Sequence, residues 1–199
     1  MVKNKKNHWE EIYRNKQPNG FSWTQKVPKI SLETIKKLNL PKNAKIIDIG
    51  GGDSTLTDFL IKDGFHNITV LDISSKAIER MQERLKDKSK HVSDFLEFES
   101  DEGFDLWHDR ATFHFLITKD EINYYLKLLK QMALKHPILS TFSDVGPQKC
   151  SGLPVRNYSE GKLKKLLFDN FRKDSCKTYD HITPFDTKQN FLFCNYIRN

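Results

Sequence analysis

The chain has 199 residues, which suits one domain and would be cramped for two, since domains contain roughly 100 to 200 residues. Hydrophobic residues make up 37% of the chain and charged residues 30%, so a core can form and wholesale disorder is excluded. The net charge of +7 is compatible with an acidic or nucleic-acid partner, but solubility alone explains an excess of this size and is the interpretation we favour.

No stretch of the chain approaches the ~20 apolar residues that a membrane-spanning helix needs, and the first seven residues, MVKNKKN, lack the apolar part of a signal peptide. The three cysteines, Cys150, Cys176 and Cys194, are widely spaced and form no Cys-x-x-Cys pair, which argues against a disulfide framework and against a zinc site. We therefore expect a cytoplasmic protein that binds neither a membrane nor a metal.

Strand and helix patterns alternate along the chain. β-branched runs at Lys45–Asp48 and Ile68–Asp72 predict strands on either side of a helix over Thr55–Lys62, and Ser74 or Ser75 caps a second helix that runs to about Lys86. The further elements predicted in chain order are a weak strand at Lys90–Ser93, a strand at Phe104–His108, a helix from Thr118 to about Lys135 that Pro137 ends, a strand at Ile138–Phe142, a loop over Ser143–Arg156, a helix at Ser159–Phe168, and paired strands at Arg172–Ile182 and Asn190–Ile197.

This order of elements implies an α/β fold. The sheet should be mostly parallel, with helices on both faces and an antiparallel hairpin at its C-terminal end. We expect a single domain over residues 1–199, in which residues 1–40 form a cap segment and residues 41–199 form the core. Ligands of such sheets bind beyond the carboxyl ends of the strands, which is where every candidate residue below falls.

Three glycines, Gly50 to Gly52, follow the first predicted strand. Glycines at this place let the backbone approach a ligand closely, and the helix that follows points its free amides toward it. Asp72 ends the next strand, where a carboxylate can accept both hydroxyls of a ribose. The pattern predicts a nucleoside ligand. A nicotinamide or flavin is disfavoured, because Thr55 stands where the dinucleotide fingerprint needs its third glycine.

The segment Asp48-Ile-Gly-Gly-Gly-Asp-Ser54 resembles the acidic-x-Gly-x-Gly-x-Gly loop of class I S-adenosylmethionine-dependent methyltransferases, with Ser54 in place of the last glycine. Three further segments, at residues 21–25 (FSWTQ), 105–115 (DLWHDRATFHF) and 146–155 (GPQKCSGLPV), are similar to a little-characterised bacterial-type branch of that family. Residues 141–144 (TFSD) are similar to the citrate synthase and elongation-factor lysine methyltransferases. Leu134–Pro137 stands where the family usually has Pro-Gly-Gly, which implies a shortened loop.

The resemblance implies a Rossmann-like, seven-stranded, mostly parallel sheet and S-adenosyl-L-methionine as the cofactor. It implies that Gly50 and Gly52 approach the methionine part of the cofactor, that Asp72 holds the ribose and that Asp94 faces the adenine amino group. The full set of cofactor-binding residues that it implies is Asp48, Gly50, Gly52, Asp72, Ile73, Asp94 and Trp107.

A sulfonium methyl group is already electrophilic, so catalysis requires an acceptor that is held in line with it and has lost its proton. We expect Asp109 or His114 to act as the base or to orient an amine, although His114 is equally compatible with a structural role. The predicted substrate-binding residues are Trp23, Gln25, Arg110, Phe113 and Tyr158. For Trp23, a role as an ordinary core anchor is equally plausible.

The methyl acceptor stays open between a protein side chain, with lysine slightly favoured, and a small molecule. A non-catalytic nucleoside-binding module is the alternative of a different class. Nucleic acid is a disfavoured acceptor, because no proline precedes Cys150 and because residues 109–112 (DRAT) lack the Asp/Asn-Pro-Pro-aromatic motif of base-amino methylation. We expect a monomer.

Overall fold

The computed structural model describes residues 2–86, 98 and 102–199. The predicted strand at Lys90–Ser93 and the predicted adenine-facing Asp94 lie outside these residues. The chain divides into two compact units, the first made of residues 1–99 and 183–185 and the second of residues 100–182 and 186–199.

The described residues of the first unit form two parallel strands and four α-helices. Its elements are α1 (Val2–Asn15), α2 (Lys29–Lys37), β1 (Ile46–Ile49), α3 (Leu56–Lys62), β2 (Ile68–Leu71) and α4 (Ser75–Leu85). β1 pairs with β2 in register from Ile46 opposite Ile68 to Ile49 opposite Leu71, and all four residues of β1 are buried. The sequence predicts both strands, α3 and α4, and the Ser74 hydroxyl caps α4 by accepting the N–H of Ala77.

The described residues of the predicted cap segment form two α-helices that the sequence pattern does not predict. An aromatic cluster made of Trp9, Tyr13, Phe21 and Trp23 packs with Ile12 of α1 against Ala77 of α4. The apolar face of α1 therefore packs against other residues of the first unit.

In the second unit, the described residues form a four-stranded sheet portion in the order β3–β4–β8–β7. Its elements are β3 (Phe104–Arg110), α5 (Lys119–Met132), β4 (Ala133–Phe142), the short pair β5 (Lys149–Cys150) and β6 (Leu153–Pro154), α6 (Glu160–Leu167), β7 (Phe171–Ile182) and β8 (Lys188–Arg198). β3 and β4 are parallel, whereas β8 runs antiparallel to both β4 and β7. The predicted α/β class and the C-terminal hairpin are confirmed.

The described residues place six strands in the two sheet portions, two in the first unit and four in the second, instead of the seven expected. The strand that the prediction adds is the one at Lys90–Ser93.

The predicted end of α5 is wrong. The capping box of Thr118 and Glu121 opens the helix as expected, but the helix ends at Met132 and Pro137 lies inside β4. Pro137 pairs with Trp107 of β3, and the pairing of β4 with β8 begins only at Ile138. A proline is tolerated there because that part of β4 pairs on one side only.

Cys176 of β7 lies directly opposite Cys194 of β8, and the two form a disulfide bond. The argument against a disulfide is therefore wrong for these two residues, because the hairpin brings together positions that are far apart in the sequence. Cys150 is buried and is not part of this disulfide. Within residues 2–86, 98 and 102–199, no helix is both long enough and apolar enough to cross a membrane.

Candidate functional site

The glycine loop after β1 requires glycine for two different reasons. Gly50 and Gly52 adopt positive φ angles of 64° and 46°, which side chains rarely adopt. Gly51 is needed for space, because a Cβ there would lie 2.6 Å from Oδ2 of Asp48 and 2.7 Å from Cγ1 of Val70. Asp48 is buried beneath the loop, so it supports the loop from the protein side.

The carboxylate of Asp72 faces this loop. Its Oδ1 accepts the backbone N–H of Ser74 at 2.8 Å, and its Oδ2 lies 2.7 Å from the point that a Cβ on Gly52 would occupy. The side chain is thereby fixed at the end of β2 and turned toward the backbone that ends β1. Ile73, which follows Asp72, is partly buried.

Tyr13 of α1 is a site residue that the sequence analysis missed. Its hydroxyl oxygen also lies 2.7 Å from the Cβ position of Gly52. Burial, together with the negative charges of Asp72 and Asp53, raises the pKa of Tyr13 well above its usual value, so the hydroxyl stays protonated. The available signal was the Trp9/Tyr13 pair, spaced four residues apart on one face of a helix.

Arg84 of α4 holds the far end of the glycine loop. Its guanidinium donates to Oδ1 of Asp53 at 2.5 Å, to the carbonyl of Ser54 at 2.8 Å and to both oxygens of Asp58 at 2.9 Å. The side chain of Asp53 is only 6% exposed. One cation therefore ties the loop to the first turn of α3, in the forked geometry that guanidinium favours.

Contacts from α1 and from Lys16, the residue that follows it, fasten this segment to α4 beside the loop. Oε1 of Glu10 accepts the N–H of Ser75 at 2.6 Å, and Oε2 accepts the N–H of Lys76 at 3.4 Å, so Glu10 caps the start of α4. Arg80 donates to the carbonyl of Lys16 at 2.8 Å. These contacts hold the helix that carries Tyr13.

The second unit has a buried network at the end of β3. Nε1 of Trp107 donates to the hydroxyl of Tyr125 at 2.9 Å, and that hydroxyl donates to Oδ2 of Asp109 at 2.7 Å. Oδ1 of Asp109 accepts the N–H groups of Thr112 and Phe113 at 2.9 and 3.3 Å. Burial raises the pKa of Asp109 to about 6, an effect that these donors partly oppose.

His114 is fully buried and stacks on Phe142, with 4.4 Å between ring centroids. Its Nδ1 accepts the backbone N–H of Phe142 at 3.2 Å, which assigns the ring hydrogen to Nε2. Burial and the nearby charge of Arg110 lower the pKa of His114 to about 3. The imidazole is therefore neutral at pH 7, and its one lone pair is already used.

The predicted substrate-binding residues of this unit pack around the same turn. Phe113 and Tyr158 are buried and stack with 5.1 Å between ring centroids, while Arg110 donates to the hydroxyl of Tyr179 at 3.4 Å and lies over the ring of Phe191. Between Arg110 and Phe113, Ala111 has a φ of 74°, a strained value for an alanine. Its N–H bonds to the carbonyl of Ser140.

In sequence and in fold, this chain is similar to known methyltransferases. Residues 47–135 match a family model described as a methyltransferase domain. A SAM-dependent methyltransferase from Anabaena variabilis superposes with a TM-score of 0.74 at 14% identity, over 100% of this chain and 95% of that chain. Magnesium protoporphyrin IX methyltransferase from Synechocystis PCC 6803, solved with bound SAM, gives 0.67 at 18% identity, over 97% of this chain and 90% of that chain.

The chain therefore shares the fold of these solved methyltransferases. Among curated proteins it is similar to EEF1A lysine methyltransferase 2 of Danio rerio, with 28% identity over 139 residues, which are 67% of this chain and 57% of that protein. The chain spans 57% or less of the length of each curated relative that it matches.

Within this fold, the predicted site residues fall into two sets. Asp48, Gly50, Gly52, Asp72, Ile73, Trp23 and Gln25 belong to the first unit, whereas Trp107, Asp109, Arg110, Phe113, His114 and Tyr158 belong to the second. In the first set, Trp23 stacks on Phe21 in the aromatic cluster, and the carbonyl of Gln25 accepts the hydroxyl of Thr55 at 3.2 Å. The cofactor, catalytic and substrate roles of these residues stay predictions.

Proposed function

We propose that this chain is an S-adenosylmethionine-dependent methyltransferase and that its acceptor is a protein lysine. The observation that carries the proposal is the position of the Asp72 carboxylate, which faces the backbone of Gly52 where two parallel strands end. This is the place where a class I fold can hold a nucleoside, with close backbone on one side and a ribose acceptor on the other.

The residues present fit the cofactor. A Cβ on Gly52 would fill the space between the Asp72 carboxylate and the Tyr13 hydroxyl, so both polar groups border the same small volume. The carboxylate is an acceptor for ribose hydroxyls, and the protonated phenol is a donor for a negative or carbonyl oxygen of the ligand. The bound cofactor would supply an electrophilic methyl group.

The two predicted catalytic residues differ in what they can do with a proton. His114 at pH 7 has no lone pair to spare, because its Nδ1 is bonded to the N–H of Phe142 and its pKa is lowered to about 3. Asp109 is ionised at pH 7 and has a pKa of about 6, close to the operating pH that suits a general base. Three hydrogen bonds, from Tyr125, Thr112 and Phe113, leave the Asp109 carboxylate one of its four acceptor sites, so of the two it is the candidate that can accept a proton from the acceptor.

The lysine acceptor rests on the name of the Danio rerio relative, an EEF1A lysine methyltransferase. A small-molecule acceptor is the second candidate, because the Synechocystis neighbour of the same fold is named a magnesium protoporphyrin IX methyltransferase. The fold alone does not separate the two, since one class I scaffold hosts many acceptors.

Cofactor binding is tested by a thermal-shift series with S-adenosylmethionine, S-adenosylhomocysteine and NAD. A ligand at 100 times its dissociation constant stabilises the folded chain by about 2.7 kcal/mol, and we expect the first two compounds to shift the midpoint. Asp72→Asn keeps an oxygen for the Ser74 N–H but loses the charge, and should lose the shift. Asp63→Asn, at an exposed carboxylate paired with Lys42, is the matched control and should keep it. A shift with NAD alone refutes the proposal.

The acceptor is identified by incubating lysate with the protein and S-adenosylmethionine that carries a tritiated methyl group. We expect label in the protein fraction, recovered as methyl-lysine after hydrolysis. Label confined to the small-molecule fraction would replace lysine by the second candidate. Cofactor binding without label in either fraction would favour the non-catalytic binding module.

The expectations about domain organisation, compartment and oligomeric state belong to the same proposal. We propose a single methyltransferase domain over residues 1–199 that acts as a cytoplasmic monomer. Light scattering coupled to size-exclusion chromatography checks the oligomeric state against the chain mass of 23.4 kDa. Fractionation of the source cells checks the compartment.

A further inference from the structure

The positive charge of this protein is concentrated at one end of the chain. Residues 1–45 carry 11 Lys and Arg against 3 Asp and Glu, which is a net charge of +8. The whole chain carries +7, so residues 46–199 together contribute −1. Solubility alone does not explain this distribution, because a solubilising excess has no reason to collect in one segment.

Four lysines of that segment lie on and just before α2. This lysine strip consists of Lys26, Lys29, Lys36 and Lys37, and all four side chains are exposed. The opposite side of α2 is buried through Ser31 and Ile35. The strip is therefore an outward face that the packing of the first unit leaves uncovered.

The strip begins next to the glycine loop. The hydroxyl of Thr55, the residue before α3, donates to the carbonyl of Gln25 at 3.2 Å and lies 3.5 Å from the carbonyl of Lys26. Only Asp53 and Ser54 separate Thr55 from Gly52 in sequence. A partner seated on the strip would consequently lie beside the proposed cofactor site.

We propose that the lysine strip binds an acidic surface of the protein whose lysine is methylated, an inference that rests on the proposed function. The strip supplies charge complementarity at the edge of the site, which speeds encounter and orients the partner. The target lysine would then be recognised by the acidic residues around it.

The chemistry of the strip favours a protein over a nucleic acid. It contains no arginine, the residue that binds phosphate in a fork, and no aromatic side chain on which bases stack. Glu33 is exposed and lies on α2 between Lys29 and Lys36. A carboxylate in the middle of the strip repels a continuous phosphate backbone, whereas a protein surface of mixed charge can match it.

The test compares two variants of equal net charge. In the strip variant, Lys26, Lys29, Lys36 and Lys37 are changed to Gln; in the control, the exposed Lys119, Lys127, Lys164 and Lys165 are changed to Gln. The probe is a fluorescein-labelled peptide of alternating Glu and Gly with one central Lys, and fluorescence anisotropy measures its affinity. We expect about tenfold weaker binding for the strip variant, no change for the control, and affinity that falls with salt.

Three outcomes overturn the inference: equal losses in both variants, no binding of the peptide by the unaltered protein, and tighter binding of a uridine oligonucleotide of equal charge. A separate measurement distinguishes failure of this inference from failure of the proposed function. Calorimetric titration with S-adenosylhomocysteine should give the same affinity for the unaltered protein and both variants. Absence of that binding everywhere refutes the proposed function, whereas intact cofactor binding with no strip effect refutes only the inference.

Discussion

The hydroxyl of Tyr125 lies 2.7 Å from Oδ2 of Asp109 and joins helix α5 to the end of β3. The same hydroxyl accepts Nε1–H of Trp107 at 2.9 Å, and all three side chains are buried. The other oxygen of Asp109 holds the turn that leads to Phe113. The Asp109 carboxylate and the Tyr125 hydroxyl therefore hold the end of β3 and the turn after it in place. That segment carries four of the predicted site residues, namely Asp109, Arg110, Phe113 and His114.

Removing this hydroxyl should destabilise the protein. Tyr125→Phe leaves the Trp107 N–H and one oxygen of Asp109 without a partner in the interior, which costs about 1 to 3 kcal/mol. Urea denaturation measures the change in the free energy of unfolding. Tyr196→Phe is the control, because the buried Tyr196 hydroxyl has no hydrogen-bond partner among the residues that the structure describes, and its loss should be neutral or stabilising. Equal losses in the two variants would contradict the assigned network.

Asp109 and His114 should oppose each other in the acid stability of the protein. Burial raises the pKa of Asp109 to about 6, so the folded state binds its proton more readily and stability falls as pH rises from about 4 through 6. Burial lowers the pKa of His114 to about 3, so the unfolded state binds its proton more readily and stability is lost as pH falls below about 6.5.

Single variants separate the two titrations. Asp109→Asn removes the acid-side gain, roughly 3 kcal/mol for a shift of about two units, so stability should fall more steeply than in the unaltered protein between pH 6 and 4. His114→Asn keeps an acceptor for the Phe142 N–H but does not titrate, and should flatten the acid loss. Denaturation at a series of pH values measures both curves. Parallel curves for all three proteins would refute both pKa shifts.

The sequence predicts most of the fold because its strongest patterns are local. The β-branched runs of β1 and β2 and the caps at Ser74 and Thr118 each lie within a few residues, and the structure confirms them. Pro137 is misread because a proline that ends a helix and a proline on a one-sided part of a strand look alike in sequence. The difference depends on which strand lies beside it, and that is a tertiary property.

The candidate site is likewise predictable only where its residues follow from local patterns. Asp72 and the glycines follow strand ends, so their convergence follows from parallel pairing alone. Tyr13 and Arg84 are not predictable in this way, since their contacts with the loop depend on how α1 and α4 pack. For Asp109 and His114 the residue types indicate acid–base chemistry, but whether their lone pairs are free is decided by the backbone donors of Thr112, Phe113 and Phe142.

Loss of Arg84 should weaken cofactor binding more than it weakens the fold. Arg84→Gln breaks the link between Asp53, Ser54 and Asp58 and frees the end of the glycine loop, so we expect the dissociation constant for S-adenosylhomocysteine to rise roughly tenfold. Calorimetric titration measures it. Lys76→Gln, which removes an exposed pair with Glu79 on the same helix, should leave it unchanged. Unaltered affinity in Arg84→Gln would contradict the conclusion that Arg84 holds the glycine loop in its binding conformation.

Crowding at Gly52 provides a test that separates backbone strain from loss of the site. Gly52→Ala adds a methyl group 2.7 Å from both the Asp72 carboxylate and the Tyr13 hydroxyl, at a φ of 46°. Gly152→Ala imposes the same kind of strain at a φ of 81°, but no atom in the described part of the chain lies within 4 Å of the added methyl group. Both variants should lose about 1 to 2 kcal/mol of stability from the left-handed backbone.

Only Gly52→Ala should also displace Asp72 and Tyr13, so only this variant should lose the thermal shift with S-adenosylmethionine. The comparison is made at ligand concentrations that saturate the unaltered protein, with stability measured first in the absence of ligand. If Gly52→Ala binds the cofactor as well as Gly152→Ala does, the space between the carboxylate and the phenol is not part of the nucleoside site. The cofactor must then contact the chain elsewhere, because a methyl group at that distance cannot be accommodated without moving one of the two side chains.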